Sequence, residues 1–209
     1  VMALPEALAL VALRGRLFET MAPGAMISVQ LSEAELRPLL GSELDIAAIN
    51  GPALCVATGP AEHVDALERA LSERGVEFSR LHLAIAAHSR LVEPILEEFR
   101  ALLERIELRA PTLPFVSDVT GTWITDAEAT DPAYWTQHLR STVRFADGVG
   151  ELLRDPDRVL LEVGPGQTLT TLSRLHAARA ADQLIVQTTR HPREQTSDAA
   201  FLFATLGRL

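Results

Sequence analysis

The order of elements between residues 25 and 87 restricts what this chain can fold into more than any other feature. Residues 25–31 alternate as a half-buried strand does. Ser32-Glu33-Ala34-Glu35 follows, a serine able to cap a helix with a glutamate three residues on to complete a capping box. Residues 44–49 and 53–59 are two further strand runs, joined by the turn residues Asn50-Gly51-Pro52, which predicts a hairpin. Residues 60–74 are amphipathic, with Val64, Leu67, Ala70 and Leu71 on one helical face and Gly75 as a C-terminal cap. Residues 76–86 make a fourth strand. A βαββαβ order closes on itself within about 60 residues, so this stretch folds as a unit.

That order is the ferredoxin-like arrangement, and the sequence on either side differs from it. Residues 5–21 read as a helix: Pro5 suits the first turn and Glu6 the positive end of the dipole. Leu8, Val11, Ala12, Gly15 and Phe18 fall on one face of it, and Arg14 and Arg16 project from it. Beyond residue 88, helices and strands alternate. A long helix covers 91–106 and a short strand 113–117. Asp131 caps a helix with Pro132 in its first position, and another helix covers 145–153. A buried strand at 158–163 breaks at Gly164-Pro165-Gly166 into a helix at 167–177. A strand at 184–187 and a final helix at 197–209 complete the chain.

Such alternation predicts a parallel sheet. The expected fold is therefore α/β. A larger core (residues 1–24 and 88–190) carries a ferredoxin-like insert (residues 25–87), and residues 191–209 form a terminal helix and linker. Val1 is not a methionine and leads straight into a helix, so the start reads as cut, with most of the larger domain's first half expected before it.

Composition narrows the function classes. The 19 basic and 28 acidic side chains leave a net charge of −9 with no basic run, which argues against nucleic acid or an anionic membrane as partner. A small anion needs only one or two placed arginines. Cys55 is the only cysteine, so no intrachain disulfide forms and the expected compartment is reducing and cytoplasmic. No apolar run approaches the roughly 20 residues that span a bilayer. No two histidines have the i, i+4 spacing of a zinc helix, and no metal site is expected.

His88 is the first candidate for chemistry. It ends the apolar run Leu83-Ala84-Ile85-Ala86-Ala87, and a helix begins just after it. Strand ends are rigid and open into clefts, which is where α/β proteins place reacting groups. His63, His82, His138, His176 and His191 lie in helices, mid-strand or a polar tail. A strand-end histidine is equally a satisfied structural residue. Arg14, on a helix between Leu13 and Leu17, is a candidate bidentate partner for a carboxylate or an ordinary ion-pairing arginine. Gly164-Pro165-Gly166-Gln167 opens a helix after a strand, either to hold an anion at the helix N-terminus or simply to turn. Trp135, His138 and Arg140 share one helical segment, as a binding face or with Trp135 in the core. Asn50 is a turn residue able to aim its amide into a cleft, and Cys55 is a small buried group. No serine nucleophile motif is present.

Six segments carry a further signal when taken together: Leu4-Pro5-Glu6-Ala7-Leu8 through Arg14-Gly15-Arg16; Ile49-Asn50-Gly51-Pro52 with Val56-Ala57-Thr58-Gly59; Ala87-His88-Ser89 with Glu93-Pro94; Tyr134-Trp135-Thr136-Gln137-His138-Leu139-Arg140 with Val143-Arg144-Phe145; Leu161-Glu162-Val163-Gly164-Pro165-Gly166; and Ala204-Thr205-Leu206-Gly207-Arg208-Leu209. In this order and spread over the whole chain, they resemble the acyltransferase domain of modular polyketide synthases, which is related to malonyl-CoA:acyl carrier protein transacylases.

The resemblance implies a hydrolase-like α/β core with a ferredoxin-like subdomain and a site in the cleft between them. It implies a nucleophilic serine before Val1, and a post-domain linker starting near Ala204. His88 would be the general base, oriented by a backbone carbonyl near Gly166-Gln167 in a dyad without an acidic third member. Arg14 would grip the free carboxylate of a malonyl-type group. Asn50, Ala87 and Gln167 would line the substrate site. The reaction implied is ping-pong: acyl-CoA acylates the serine, and the phosphopantetheine thiol of an acyl carrier protein takes the acyl group, with no bound cofactor. An adjacent ketosynthase domain is the implied neighbour. Family members selecting malonyl show His-Ala-Phe-His at the base, and those selecting methylmalonyl show Tyr-Ala-Ser-His. Ile85-Ala86-Ala87-His88 is neither. The small Ala87 leaves room beside the acyl α-carbon, which favours a substituted malonyl unit. The alternatives are a hydrolase or thioesterase on the same core, or a non-catalytic ferredoxin-like binding or scaffold module.

Overall fold

The computed structural model describes residues 1–209, which divide into two compact units, Val1–Gly148 and Val149–Leu209. In the first unit, β1 (Gly24–Val29), β2 (Asp45–Gly51), β3 (Leu54–Pro60) and β4 (Phe78–Arg80) form one sheet in the order β2-β3-β1-β4. Every neighbouring pair in it is antiparallel. With α2 (Glu33–Leu36) and α3 (Ala61–Glu73), this is the βαββαβ unit that the sequence predicts.

Alternation along β1 sends Ala25, Ile27 and Val29 to the face covered by Leu36, Val64, Leu67 and Leu71, and Met26 to the opposite face with Ala47 and Val56. The Ser32–Glu35 capping box forms, and Gly75 adopts a left-handed φ of 66° to end α3. β4 is shorter than expected. Leu81 N–H still donates to the Met26 carbonyl, but the chain then turns away and seats Ala86 against Gly24.

The rest of the first unit is helical. α1 (Leu4–Thr20) packs on α4 (Leu96–Leu103) and α6 (Pro132–Arg140) through Leu10, Leu13, Leu17, Phe99, Leu103 and Leu139. This corrects the expected face of α1: Leu8 and Val11 are each 61% exposed. The helix is apolar nearly all round, so periodicity does not single out one stripe, and packing against α4 makes the choice. The long helix expected at 91–106 is a 3₁₀ segment, Arg90–Ile95, leading into α4. Pro94 lacks the N–H that an α-helix would use there. The strand expected at 113–117 reduces to one bridge, Val116 to Trp123. A short helix, α5 (Asp126–Ala129), with its own Thr125–Glu128 capping box, was not foreseen.

α7 (Phe145–Leu153) spans the division between the units. In the second unit, β5 (Leu160–Glu162) pairs in parallel with β6 (Ile185–Gln187), and α8 (Thr168–Arg174) follows β5. β5 is not the buried strand expected: Leu161 is 40% and Val163 79% exposed. Its described partner is β6 alone, so its apolar run is covered on one edge only. The N-terminus of α8 is not open to an anion either. The Glu162 carboxylate already accepts from the N–H groups of Leu169 (3.2 Å) and Thr170 (2.8 Å). α9 (Asp198–Leu206), capped by Ser197, closes the chain. No helix is long and apolar enough to cross a membrane.

Candidate active site

His88 sits on a short, heavily constrained stretch of the first unit. Its φ of 57° is the only left-handed value at a non-glycine residue, a conformation that costs an L-residue roughly 1–2 kcal/mol. The flanks hold it there. Gly24 N–H donates to the Ala84 carbonyl at 3.2 Å, and Ala86 fills the space where a Gly24 side chain would be. On the other side the buried Ser89 hydroxyl donates to the Ala86 carbonyl at 2.7 Å and accepts the Leu91 N–H at 3.1 Å. Arg90 N–H donates to Asp45 Oδ2 at 3.0 Å.

The imidazole is fixed as well. Nδ1 of His88 lies 2.8 Å from the Ser141 carbonyl oxygen. A carbonyl only accepts, so Nδ1 carries the proton and Nε2 is left with its lone pair. This corrects the expected orienting group: the carbonyl against Nδ1 belongs to Ser141 and not to the segment near Gly166-Gln167. Ser141 is the C-cap of α6, its N–H donating to the Gln137 carbonyl at 2.9 Å. The next two residues run along β2. Val143 donates to the Ala47 carbonyl and accepts from Ile49 N–H, both at 2.8 Å, and the Thr142 hydroxyl donates to the Ile46 carbonyl at 2.7 Å. Residues 141–143 therefore hang on the insert's sheet while presenting a carbonyl to the base.

Three charged or titratable groups surround this pair. The His138 ring meets His88 edge-on at 6.4 Å between centroids, and its Nε2 lies 3.9 Å from Asp118 Oδ2. Asp118 is carried by a turn in which the Ser117 hydroxyl accepts the N–H groups of Val119 and Thr120 and the Tyr134 hydroxyl donates to it at 2.7 Å. Arg14 is exposed, its guanidinium 5.6 Å from the Phe18 ring centroid on the same helix. Burial holds the His88 pKa below the ordinary histidine value, with the charges of His138 and Arg14 acting in the same sense and the Ser141 carbonyl and Asp118 opposing them. His138 is lowered for the same main reason, burial, which Asp118 opposes. Both imidazoles are thus kept neutral near pH 7.

The other candidates fall as follows. Ala87 is half-buried beside His88. Asn50 is half-buried in β2; the groups around His88 are Arg14, Asp118, His138 and Ser141. Gln167 lies in the second unit, where its amide donates to Glu194 Oε1 at 3.0 Å. Trp135 packs with the α1–α4–α6 cluster, and its indole N–H donates to the Ala129 carbonyl at 2.9 Å. Cys55 is fully buried, which pushes its thiol up to about 11 and leaves it inert. Sequence reasoning placed His138 only on a helical face and had no signal for Ser141, whose contribution is a backbone atom.

Comparison with known proteins places the chain. The acyl transferase domain family matches residues 1–202. A component of the phenolphthiocerol/phthiocerol polyketide synthase of Mycobacterium tuberculosis is 36% identical over 206 residues, 99% of this chain and 14% of that protein. Mycoketide-CoA synthase of the same organism is 42% identical over 166 residues, 79% of this chain and 4% of that one. Among solved structures, the acyl transferase domain of SpnD in complex with 2-(pent-4-yn-1-yl)malonyl superposes with a TM-score of 0.94 at 44% identity, over all of this chain and 50% of that one. The acyltransferase domain from the second module of the salinomycin polyketide synthase gives 0.91 at 36%, over 99% and 48%. The Helicobacter pylori malonyl-CoA:acyl carrier protein transacylase, at 23% identity and a TM-score of 0.79, shares the fold. The chain thus spans about half the length of the solved relatives. The architecture is theirs, a hydrolase-like α/β core with a ferredoxin-like subdomain.

Proposed function

The chain belongs to the acyl transferase domain family, and from that membership and the geometry at His88 we propose that it contributes the general base and carboxylate clamp of an extender-unit acyltransferase in polyketide biosynthesis. The observation that carries this reading is the half-buried imidazole with Nδ1 donating to the Ser141 carbonyl at 2.8 Å. That bond selects the tautomer whose Nε2 accepts a proton, and the depressed pKa keeps it free to do so at neutral pH.

In the proposed cycle, Nε2 of His88 takes the hydroxyl proton of a serine from outside residues 1–209. The serine oxygen attacks the thioester carbonyl of an acyl-CoA, the C–S bond breaks, and the CoA thiolate leaves with the proton that His88 returns. In the second half, Nε2 takes the proton of the carrier protein's phosphopantetheine thiol. The sulfur attacks the acyl-serine ester, the acyl C–O bond to the serine breaks, and His88 returns the proton to the serine oxygen. Arg14 supports selection of a dicarboxylic unit. It is charged, sits near enough for its field to reach both histidines, and is spread over the Phe18 ring with its fork free. The small, half-buried Ala87 next to the base supports an α-substituted malonyl unit. The relative that holds a 2-(pent-4-yn-1-yl)malonyl group, at 44% identity, agrees with that direction.

The test uses the full chain that carries this sequence. Covalent acylation by malonyl-CoA and an α-alkylmalonyl-CoA is followed by intact-protein mass spectrometry, then transfer to a carrier protein is compared with release to water. His88→Ala is expected to lower the acylation rate by about 10²–10⁴-fold, the usual size of a general-base contribution. Acylation of His88→Ala at the parent rate would refute the base assignment, and release to water in preference to the carrier thiol would refute the transferase assignment.

A further inference from the structure

One carboxylate is held from both sides of the base. Asp45 begins β2. Its Oδ2 accepts the Arg90 N–H at 3.0 Å and lies 3.7 Å from Arg90 Nε. Its Oδ1 accepts from Arg140 Nη2 at 3.1 Å. The Arg140 guanidinium has a second partner, its Nε donating to Glu93 Oε1 at 3.1 Å. The Asp45 side chain is only 19% and that of Arg140 26% exposed, so solvent screens this pair less than an ordinary surface pair.

The chain positions give these bonds their meaning. Arg90 lies two residues after His88, and Arg140 immediately precedes Ser141, whose carbonyl orients His88. Asp45 therefore ties the backbone that bears the imidazole to the backbone that bears the imidazole's acceptor. The strained φ at His88 leaves that pairing dependent on its surroundings, because a left-handed histidine persists only where neighbouring contacts enforce it.

The geometry points to Asp45 as a positioning residue for the His88 base, acting from the ferredoxin-like insert through Arg90 and Arg140 to hold Nδ1 on the Ser141 carbonyl. This rests on the acyl-transfer role proposed for His88, and Asp45 itself touches no reacting atom. When the clamp is loosened, the carbonyl shifts, the Nδ1 bond weakens, and the imidazole is free to turn its other nitrogen outward. Misplacing a general base by about an ångström costs on the order of 10²-fold in rate.

The test compares four forms of the full chain that carries this sequence: parent, Asp45→Asn, His88→Ala, and the double variant. Single-turnover acylation by malonyl-CoA is measured against pH, with melting temperature as a folding control. Asp45→Asn keeps the shape of the side chain and removes its charge. It is expected to lower the acylation rate by about 10–100-fold with little change in KM for malonyl-CoA. It should also move the acidic limb of the profile to lower pH, because the Ser141 carbonyl supports the imidazolium. In the His88→Ala background the same change is expected to add almost nothing, since residues acting as one unit are non-additive. Equal losses in both backgrounds, or a parent-like rate and pH limb in folded Asp45→Asn, would overturn the positioning role while leaving the acyl-transfer reading intact. A parent-like rate for His88→Ala would overturn that reading, and the positioning role with it. Should Asp45→Asn melt below the assay temperature, Arg140→Lys replaces it, keeping the charge without the two-armed fork.

Discussion

At the scale of single residues, His88 combines a strained backbone with a fixed ring. His88 was readable as a candidate because an apolar run that stops at a titratable side chain is a side-chain pattern, but the strand expected to carry it ends at Arg80, and His88 sits in a turn beyond it. The orienting group was not readable, because the Ser141 carbonyl belongs to a backbone whose sequence advertises nothing. Arg14 illustrates a different limit. Its residue type suggested a carboxylate partner, but which helical face it takes was decided by α4 packing on Leu10, Leu13 and Leu17. Two predictions belong here. The acid-side half-point of kcat/KM for acyl-CoA is expected below 6.5, the ordinary histidine value, because burial disfavours the imidazolium; a pH–rate profile checks it. Gly24→Ala is expected to destabilise by about 1–3 kcal/mol, the usual cost of overpacking. The added Cβ would collide with Ala86 and lie 2.8 Å from the Gly59 carbonyl. Urea denaturation measures the loss, and a rate decrease larger than the fraction unfolded would show the shift reaching His88 through Ala86.

At the scale of elements, the insert was almost wholly legible. Capping box, hairpin turn, amphipathic helix and glycine stop each carry a local chemical signature, and the sheet order follows from them. Beyond residue 88 legibility falls. Pro94 was visible, yet its effect, a 3₁₀ turn before α4, depends on the Ser89 cap. The apolar run around β5 reads as a strand covered on both faces, whereas the described residues pair it with β6 alone. The sequence carries no strand signal at residues 141–143, which add to the edge of β2. Thr142→Val is the test at this scale. It keeps shape and removes the bond to the Ile46 carbonyl, and should cost about 0.5–1.5 kcal/mol, measured by urea unfolding. A reduced acylation rate at full folding is also expected, since Thr142 adjoins the carbonyl that holds His88.

At the scale of the whole molecule, the first unit couples its stability to acid through two half-buried imidazoles. His88 and His138 both have folded pKa values below the ordinary 6.5, so the unfolded chain binds protons that the folded one refuses. Their contribution to stability is full above about 6.5 and declines as pH falls through 6.5 toward the depressed folded values. The urea midpoint, followed by tryptophan fluorescence, is expected to drop between about pH 7.5 and pH 5.5, and His88→Gln or His138→Gln should flatten that drop. An unchanged slope in both variants would contradict it. The bonds from residues 140–143 to β2 have a practical meaning for recombination between related synthases. A graft cut at the ends of the insert would sever Arg140 from Asp45 and Val143 from Ala47 and Ile49, although none of the severed residues 140–143 is near the insert in sequence. A chimaera that transplants residues 25–87 must bring matching side chains at 140–143 or lose the registration of its base. Crossover points placed after residue 143 would keep the donor's sheet and the donor's histidine geometry together.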